Sequence, residues 1–402
     1  MVLIDNIGRT ISRLVERYVF REVALLDRIA TKVQSREPIT GQEGLFLMRE
    51  VPLPALAPLA QLERYHHNPE SMVTFAIDTN PNYTNVCDVH CTFCAFHCEA
   101  GNSAAYTHTV EEMMKKVEQS ANSGVTTILL QGGLNSNLPF EYYLDLVKTT
   151  RQRFPHVHPH YFSAPEIQKM SQVSGLSITK VLSRLKEVGL NTIPGGGAEV
   201  LSDRVKQKIS PRFPKRRSTD WLDVHREAHR LGYHTTATMM YGHLDNDEDI
   251  LEHLDQIRKL QEETGGFTAF IPWSYKREHT ALGKRIKEEA GPNRYLRIIA
   301  VARIFLNNFP HIQASWFSEG KKTGQIALHF GGDDFGGTIM EEDVMQCAGF
   351  HSRTTVEEVV DLIQQAGFIP AQRTTLYEII RYFNPTMSNG GTTDITSRST
   401  AS

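Results

Sequence analysis

Apolar positions recur along the chain in two alternating rhythms. Short runs rich in β-branched and aromatic residues read as strands: Val73–Ile77, Thr126–Leu130, His158–Phe162, Asn191–Ile193, Thr235–Tyr241, Thr268–Pro272, Ile312–Trp316 and Phe335–Ile339. Between them apolar residues return every three or four positions, as in Val110, Met113, Met114, Val117 and Ala121, or Phe140, Tyr143, Leu144 and Val147. That is the stripe of a helix packed on one face. Eight strands alternating with helices over about 270 residues predict a (β/α)8 barrel. A doubly wound open sheet is the alternative, because alternation alone does not show closure. Either architecture collects functional residues at the strand C-terminal ends. Asp78–Asn85, Gln131–Gly133, Ser163–Glu166, Gly195–Glu199, Tyr241–His243 and Asp333–Gly337 are therefore expected to meet on one face.

The barrel is expected over residues 71–340, after a helical lead over 1–70 and before a helical segment over 341–385. The tail 386–402, rich in Ser, Thr and Gly, reads as disordered. In the lead, Thr40 and Glu43 have the spacing of a capping box. With 40% hydrophobic and 22% charged residues among 402, a large core can be buried. The formal net charge of −3 argues against nucleic acid as the main partner. No apolar run is long enough to span a bilayer, and the N-terminus lacks the compact apolar segment of a secretory signal. A cytoplasmic protein is expected.

Cysteine placement sharpens the picture. Of five cysteines, four lie between positions 87 and 98. A disulfide framework would spread them through the chain. Cys87, Cys91 and Cys94 are spaced C-x3-C-x2-C, so one loop can bring three thiolates to three corners of a 4Fe–4S cube and leave the fourth iron open. Structural zinc usually takes four ligands, and bacterial ferredoxins use a different spacing. Cys98 reads as a spare thiol near the site, and Cys347 as a buried core cysteine. His225 and His229 lack the Glu placement of a zinc helix and read as packing or surface residues. His156, His158 and His160 share a strand face without an acidic or thiol partner nearby in sequence, so a metal role is not expected. Gly195–Gly197 does not match G-x-G-x-x-G; it is either a plain loop or a close backbone approach to a ligand, with Glu199 as polar anchor.

The cysteine spacing on a loop after the first strand resembles the radical S-adenosylmethionine (SAM) superfamily, with Phe93 matching the aromatic residue common there. Gln131-Gly132-Gly133 resembles that family's Gly-Gly turn, which meets the methionine end of SAM. Asn82–Cys87, Leu129–Gly133, Phe162–Ile167 and Pro194–Glu199 resemble one subgroup, which contains the futalosine-pathway menaquinone enzymes and the deazaflavin-forming synthase subunits. Thr235–Met240, Gly265–Trp273 and Ile312–Trp316 are most similar to its dehypoxanthine futalosine cyclases. Leu134, Phe317-Ser318-Glu319, Gly332-Asp333 and His279 depart from the usual pattern.

The resemblance implies a 4Fe–4S cluster on Cys87, Cys91 and Cys94, and SAM contacted by Phe93, Gln131, Gly132, Gly133, Ser163, Glu166 and Glu199. It implies abstraction of the C4′ hydrogen of dehypoxanthine futalosine, radical addition to the benzoate ring, and loss of one electron and one proton. A flavodoxin or ferredoxin-type donor would supply the cluster. A base near the ring would assist the last step; Asp78 at the end of strand one is the first candidate, with Glu342 after strand eight behind it. Aminofutalosine synthase, a deazaflavin synthase subunit, and an Fe–S electron-transfer protein without radical chemistry remain the alternatives.

Overall fold

The computed structural model describes residues 22–339, 341, 343–351 and 353–383. The tail 386–402, the first part of the helical lead and Glu342 lie outside the described residues. Each of the eight expected strands has a counterpart, but that expected over Ile312–Trp316 is cut to His311–Ile312, and Trp316 opens a short helix, Trp316–Glu319. The first strand is interrupted at Ile77, giving β1 (Met72–Ala76) and β2 (Asp78–Thr79). β3 (Thr127–Leu130), β4 (His158–Tyr161), β5 (Thr192–Ile193), β6 (His234–Tyr241), β7 (Phe267–Ser274) and β8 (His311–Ile312) follow, then β9 (Asp334–Gly337), β10 (Ile369–Arg373) and β11 (Ile379–Tyr382).

β2 to β8 pair in sequence order, every pair parallel. β9 pairs parallel with β1, and one bridge from Gln313 to Asp334 joins it to the chain leaving β8. The ring therefore closes, and the open-sheet alternative is excluded. Helices from Val110–Asn122 to Pro292–Phe305 turn their apolar stripes inward onto the strands. No helix among the described residues is long and apolar enough to cross a membrane.

The expectation of a purely helical segment over 341–385 is corrected. It holds helices Val344–Cys347 and Val356–Gln365, but then β10, which runs parallel to β1 from the pair Met72–Ile369 to Phe75–Gln372, and β11, antiparallel to β10. β10 fills the gap below the point where β2 reaches β3, and the Thr375 hydroxyl, just beyond it, bonds that of Thr127 across 2.9 Å. The run Ile-Pro-Ala-Gln-Arg conceals a strand: Pro370 argues against one, and its buried Gln372 and Arg373 break the apolar pattern. Arg373 is affordable there because it forks onto Asp334, with Nη2 donating to Oδ1 at 2.9 Å and Nε to Oδ2 at 2.5 Å.

The N-terminal lead is helical, as expected, over 22–34, Gly41–Arg49 and Leu53–His67. The Thr40–Glu43 capping box forms, with Glu43 N donating to the Thr40 hydroxyl at 3.2 Å and Thr40 N to the Glu43 carboxylate at 2.7 Å. The helix Leu53–His67 packs on Pro292–Phe305 at the closed end of the barrel, over a buried polar hub at Asp333. Asp333 accepts from Arg303 at 2.6 Å, from the Ile312 N–H at 2.8 Å and from Asn68, and pairs with His311 at 2.8 Å. Burial pushes the Asp333 carboxyl up, but Arg303 and His311 outweigh it and hold the group far below the usual carboxylate range.

Removing one partner of such a pair strands the other charge. Arg303→Met is expected to cost about 3–5 kcal/mol in denaturant unfolding at neutral pH. Because the Asp333 pKa is depressed, this stabilisation is present above the unfolded carboxyl pKa and fades as pH falls through the folded one. The gap between variant and parent should accordingly narrow in acid. A variant as stable as the parent at pH 7 would show that the hub is dispensable.

Candidate active site

The connection from β2 to the helix Val110–Asn122 is long, and its first half carries the clustered cysteines. Backbone bonds pin it to the barrel at several points. Gly133 N donates to Thr84 O at 2.8 Å, Asp88 N to Leu134 O at 3.1 Å, and Cys87 N to Cys98 O at 3.0 Å. Thr92 N donates to Ile209 O at 2.9 Å, while Leu282 N reaches back to Thr92 O at 2.7 Å. Cys87, Cys91 and Cys94 share one apolar pocket with Val89, Phe93 and Leu134; Cys98 is not part of it. Among the described residues no three His, Cys, Asp or Glu side chains converge on a point that a single ion could hold. Three thiols in a dry recess suit a cluster, whose several irons hold their ligands apart, better than mononuclear zinc. Burial pushes the Cys91 thiol up to about 11, so it is no activated nucleophile. Cys347, expected in the core, is exposed: its short helix turns Val344 and Met345 to the cavity and leaves Cys347 on the outer side.

Gly132 and Gly133 are glycines for a local reason. A β-carbon at Gly133 would collide with the Val86 carbonyl, one residue before Cys87, and one at Gly132 would lie 2.7 Å from the Tyr83 ring. Glu166 fastens the same contact. Its Oε1 accepts from the Tyr83 hydroxyl at 2.6 Å and from Gly132 N at 3.1 Å; its Oε2 accepts from Ser163 N at 2.7 Å and from the Ser163 hydroxyl at 2.5 Å. Burial raises the Glu166 carboxyl despite these four donors. Ser163 and Glu166, expected as cofactor contacts, are thus the cap of the helix Ala164–Ser174 and a brace for the Gly-Gly turn. Tyr83, the centre of that brace, carried no sequence signal beyond its place in a motif.

A cavity of about 260 Å³ opens over the strand ends. Asp78, Asn80, Gln131, His160, Gly195–Gly197, Glu199, Thr238, Ile271, Trp273, Gln313 and Phe317 line it, and Arg373, Thr375 and Tyr377 from the C-terminal segment join them. Gly196 approaches the Gln131 amide so closely that a β-carbon would displace it. Glu199 is buried, with its backbone at φ 47°, and its Oε1 pairs with Lys215 at 2.5 Å. Burial pushes its carboxyl up, but Lys215 and Lys206 outweigh this and hold it below the ordinary value. Its Oε2 lies 3.6 Å from the buried Lys206 Nζ, so both carboxylate oxygens face a lysine, whereas the Asn80 Oδ1 in the cavity wall has no hydrogen-bond partner and is free to accept from a ligand. Lys215 also stands over the Phe93 ring, 5.0 Å from its centre. Sequence spacing gave no sign of Lys206, Lys215 or Arg373.

Asp78 reaches the cavity from the first position of β2, with Oδ1 accepting from Ile339 N at 2.8 Å. Burial lifts its pKa to about 6, against Ile339 N and Arg373, which lower it. His225 and His229 are packing residues, bonded to Thr235 and stacked against Trp221 and Phe267 rather than exposed. The departures from the family pattern have plain roles. Leu134 walls the cysteine recess, Glu319 ties Tyr241 to Ser274 N, Asp333 is the hub below the barrel, and His279 is exposed on a loop.

Known proteins share this arrangement. Residues 81–257 match the radical SAM superfamily, and residues 264–386 match the CofH/MqnC C-terminal region. A cyclic dehypoxanthine futalosine synthase of Halalkalibacterium halodurans is 37% identical over 89% of this chain and 96% of its own. An aminodeoxyfutalosine synthase of Thermus thermophilus is 38% identical over the same shares. Among solved structures, a methylornithine synthase superposes with a TM-score of 0.67 at 17% identity, over 85% of this chain and 97% of that one, which speaks for the fold alone.

The Gly133 contact is testable apart from any reaction. Gly133→Ala is expected to lower the unfolding midpoint and to loosen the loop that carries the cysteines, seen as faster hydrogen exchange over 84–98. Gly196→Ala meets only the end of a flexible Gln131 side chain and should leave both unchanged. Equal behaviour of the two variants would remove the steric explanation.

Proposed function

The chain belongs to the radical SAM superfamily, in the group that carries the CofH/MqnC C-terminal region, and on that premise we propose that it closes dehypoxanthine futalosine into its cyclic product in menaquinone formation. Carrying this reading is the meeting, in one cavity, of Asp78, the lysine-paired Glu199 carboxylate, the unpartnered Asn80 oxygen and the wall of Ile271 and Trp273, from a chain whose cysteines 87, 91 and 94 share a recess. The relative of 37% identity across nearly its whole length supports the choice of substrate.

Cys87, Cys91 and Cys94 would hold a 4Fe–4S cluster, and Gln131, Gly132, Gly133 and Glu199, with Phe93 beside them, would border SAM. When bound, the two together supply hydrogen-atom abstraction from an unactivated C–H bond. The rest falls to the chain. Leu129, Ile271, Trp273 and Phe317 exclude water and give the aromatic ring a face to lie on. Fixing sugar and ring in near-attack geometry removes the entropy cost of bringing them together. Asp78, ionised above pH 6, takes the proton that leaves the ring as aromaticity returns. A flavodoxin or ferredoxin-type carrier supplies electrons, and a cytoplasmic location belongs to the same reading. The Thermus relative favours a second reading, aminodeoxyfutalosine synthesis, which needs a different substrate.

The deciding experiment is anaerobic reconstitution with iron, sulfide, SAM and a reductant. Dehypoxanthine futalosine should yield a product two hydrogen atoms lighter by mass spectrometry. Unchanged substrate beside an intact cluster would overturn the cyclase reading. Cys87→Ala, Cys91→Ala and Cys94→Ala should each lose the cluster absorbance, and Cys98→Ala should keep it; the reverse pattern would overturn the ligand assignment. Asp78→Asn should keep the cluster yet lose about 10²–10⁴-fold in product formation. The raised Asp78 pKa places the basic form above it, so the parent's kcat/KM should rise with pH through about 6. A flat profile, or normal turnover by Asp78→Asn, would assign the proton to another acceptor.

A further inference from the structure

Residues 204–218 contain seven Lys and Arg and no Asp or Glu, in a chain whose net charge is −3. Nothing in the catalytic reading uses the exposed members of that run. The structure shows where they stand. Ile209 O holds Thr92 N, and the Ser210 hydroxyl donates to the Cys91 sulfur at 3.1 Å. Two residues further on, the exposed Arg212 donates to Asp88 O at 3.1 Å. A second basic stretch, 276–289, with five Lys and Arg against three Glu, is tied to the same loop through Leu282 N and Thr92 O. An open depression lined by Arg277, Thr280 and Lys284, with Glu278 and Glu289 also on its wall, lies on this stretch. Lys208, Arg212, Arg216, Arg277, Lys284 and Lys287 are exposed, and none has an acidic partner at ion-pair distance among the described residues. Arg49, Arg226 and Arg230, by contrast, are tied into ion pairs on other faces. Phe213, 56% exposed, stands among these cations as an apolar contact point.

We infer that this two-part basic rim is the docking surface for a small acidic one-electron carrier protein, which delivers its electron to the cluster beside Cys91. The inference rests on the reading of the cysteine loop as a cluster site. Unpaired cations with one apolar anchor suit a small, transient interface in which charge sets the approach rate. The overall negative charge of the chain works against a long polyanion, whose reach exceeds the patch. In the transfer the carrier loses one electron and the cluster gains it, and no bond or proton changes place. The chain continues from Ser210 to Arg212, so the contact surface is two residues along the backbone from the group bonded to the Cys91 sulfur.

The test uses the reconstituted full chain and flavodoxin as the acidic probe. Lys208→Glu, Arg216→Glu and Lys284→Glu are combined; these side chains are exposed and stand apart from the cavity. Stopped-flow reduction by flavodoxin should slow by about tenfold or more at low salt and lose its inverse dependence on ionic strength. Reduction by dithionite, too small to need docking, should keep the parent rate. A control triple at Lys115, Lys148 and Lys180, exposed on other helices, should change neither. Parent-like reduction of the variant by flavodoxin at every salt concentration would overturn the docking surface while leaving the catalytic reading intact. So would loss of oligonucleotide binding by the variant with donor reduction unaltered, which would assign the rim to a polyanion. A chain that takes up no cluster at all would overturn the catalytic reading, and this inference with it.

Discussion

The Val86 carbonyl occupies the space where any residue but glycine at 133 would place its β-carbon, and the cysteine positions follow from that contact. The peptide carrying this oxygen leads directly into Cys87, so the distance between the first strand's loop and the second strand's turn sets where the thiols begin. One buried carboxylate secures it. Glu166 receives Tyr83 from the loop, Gly132 from the turn and Ser163 from its own helix, joining three successive strand ends through two oxygens. A buried acid with fewer donors would be costly; with four it becomes a fixed point. The recess around Cys91 and the cavity beside Gln131 are both built outward from it.

The alternation of strands and helices was legible because period-2 and period-3.6 apolar patterns survive wherever elements pack on a core, and each expected strand has its counterpart. The cysteine spacing was legible because it is local. What escaped reading depends on contacts between distant segments. Ser163 and Glu166 stand in a cofactor-like motif, yet the same Ser-x-x-Glu spacing is also a helix cap, and only the fold discloses which use the residues serve. Lys206 and Lys215 look like surface lysines until the loop turns them onto Glu199. Sequence left His225 and His229 as packing or surface residues because the partner that decides it, Thr235, lies on the next strand. The strand β10 was hidden by its proline and by the buried polar pair Gln372 and Arg373, of which Arg373 faces the cavity and Gln372 accepts from Arg381.

That hidden strand matters for the chemistry. Arg373, Thr375 and Tyr377 furnish the floor of the cavity, and they come from the region matched to the CofH/MqnC C-terminal group rather than from the part matched to the superfamily at large. The barrel's upper wall, with the Gly-Gly turn and Glu199, belongs to the shared part. A division follows in which the first two thirds of the chain hold what the superfamily has in common, while the last third shapes what the cavity accepts. Trp273 and Phe317, both from the second region, fit the same division.

The seam of the ring has a consequence for the order in which the protein can be made. Among the described residues β1 pairs with β9 and β10 alone, roughly 260 and 300 residues downstream. At about 5–20 residues per second, a growing chain carries that strand without partners for on the order of 15–60 s. During this interval the edges of Val73–Phe75 are open to any other extended segment. Helices and the sequential strands β3 to β7 can assemble as they emerge, since their contacts are nearer in sequence. The thiol loop does not wait for that seam: β2, which leads into it, pairs with β3, and its backbone bonds reach Gly133, Leu134, Ile209 and Leu282, all synthesised before β9. The recess of Cys87, Cys91 and Cys94 can therefore be ordered while the seam of the ring still stands open.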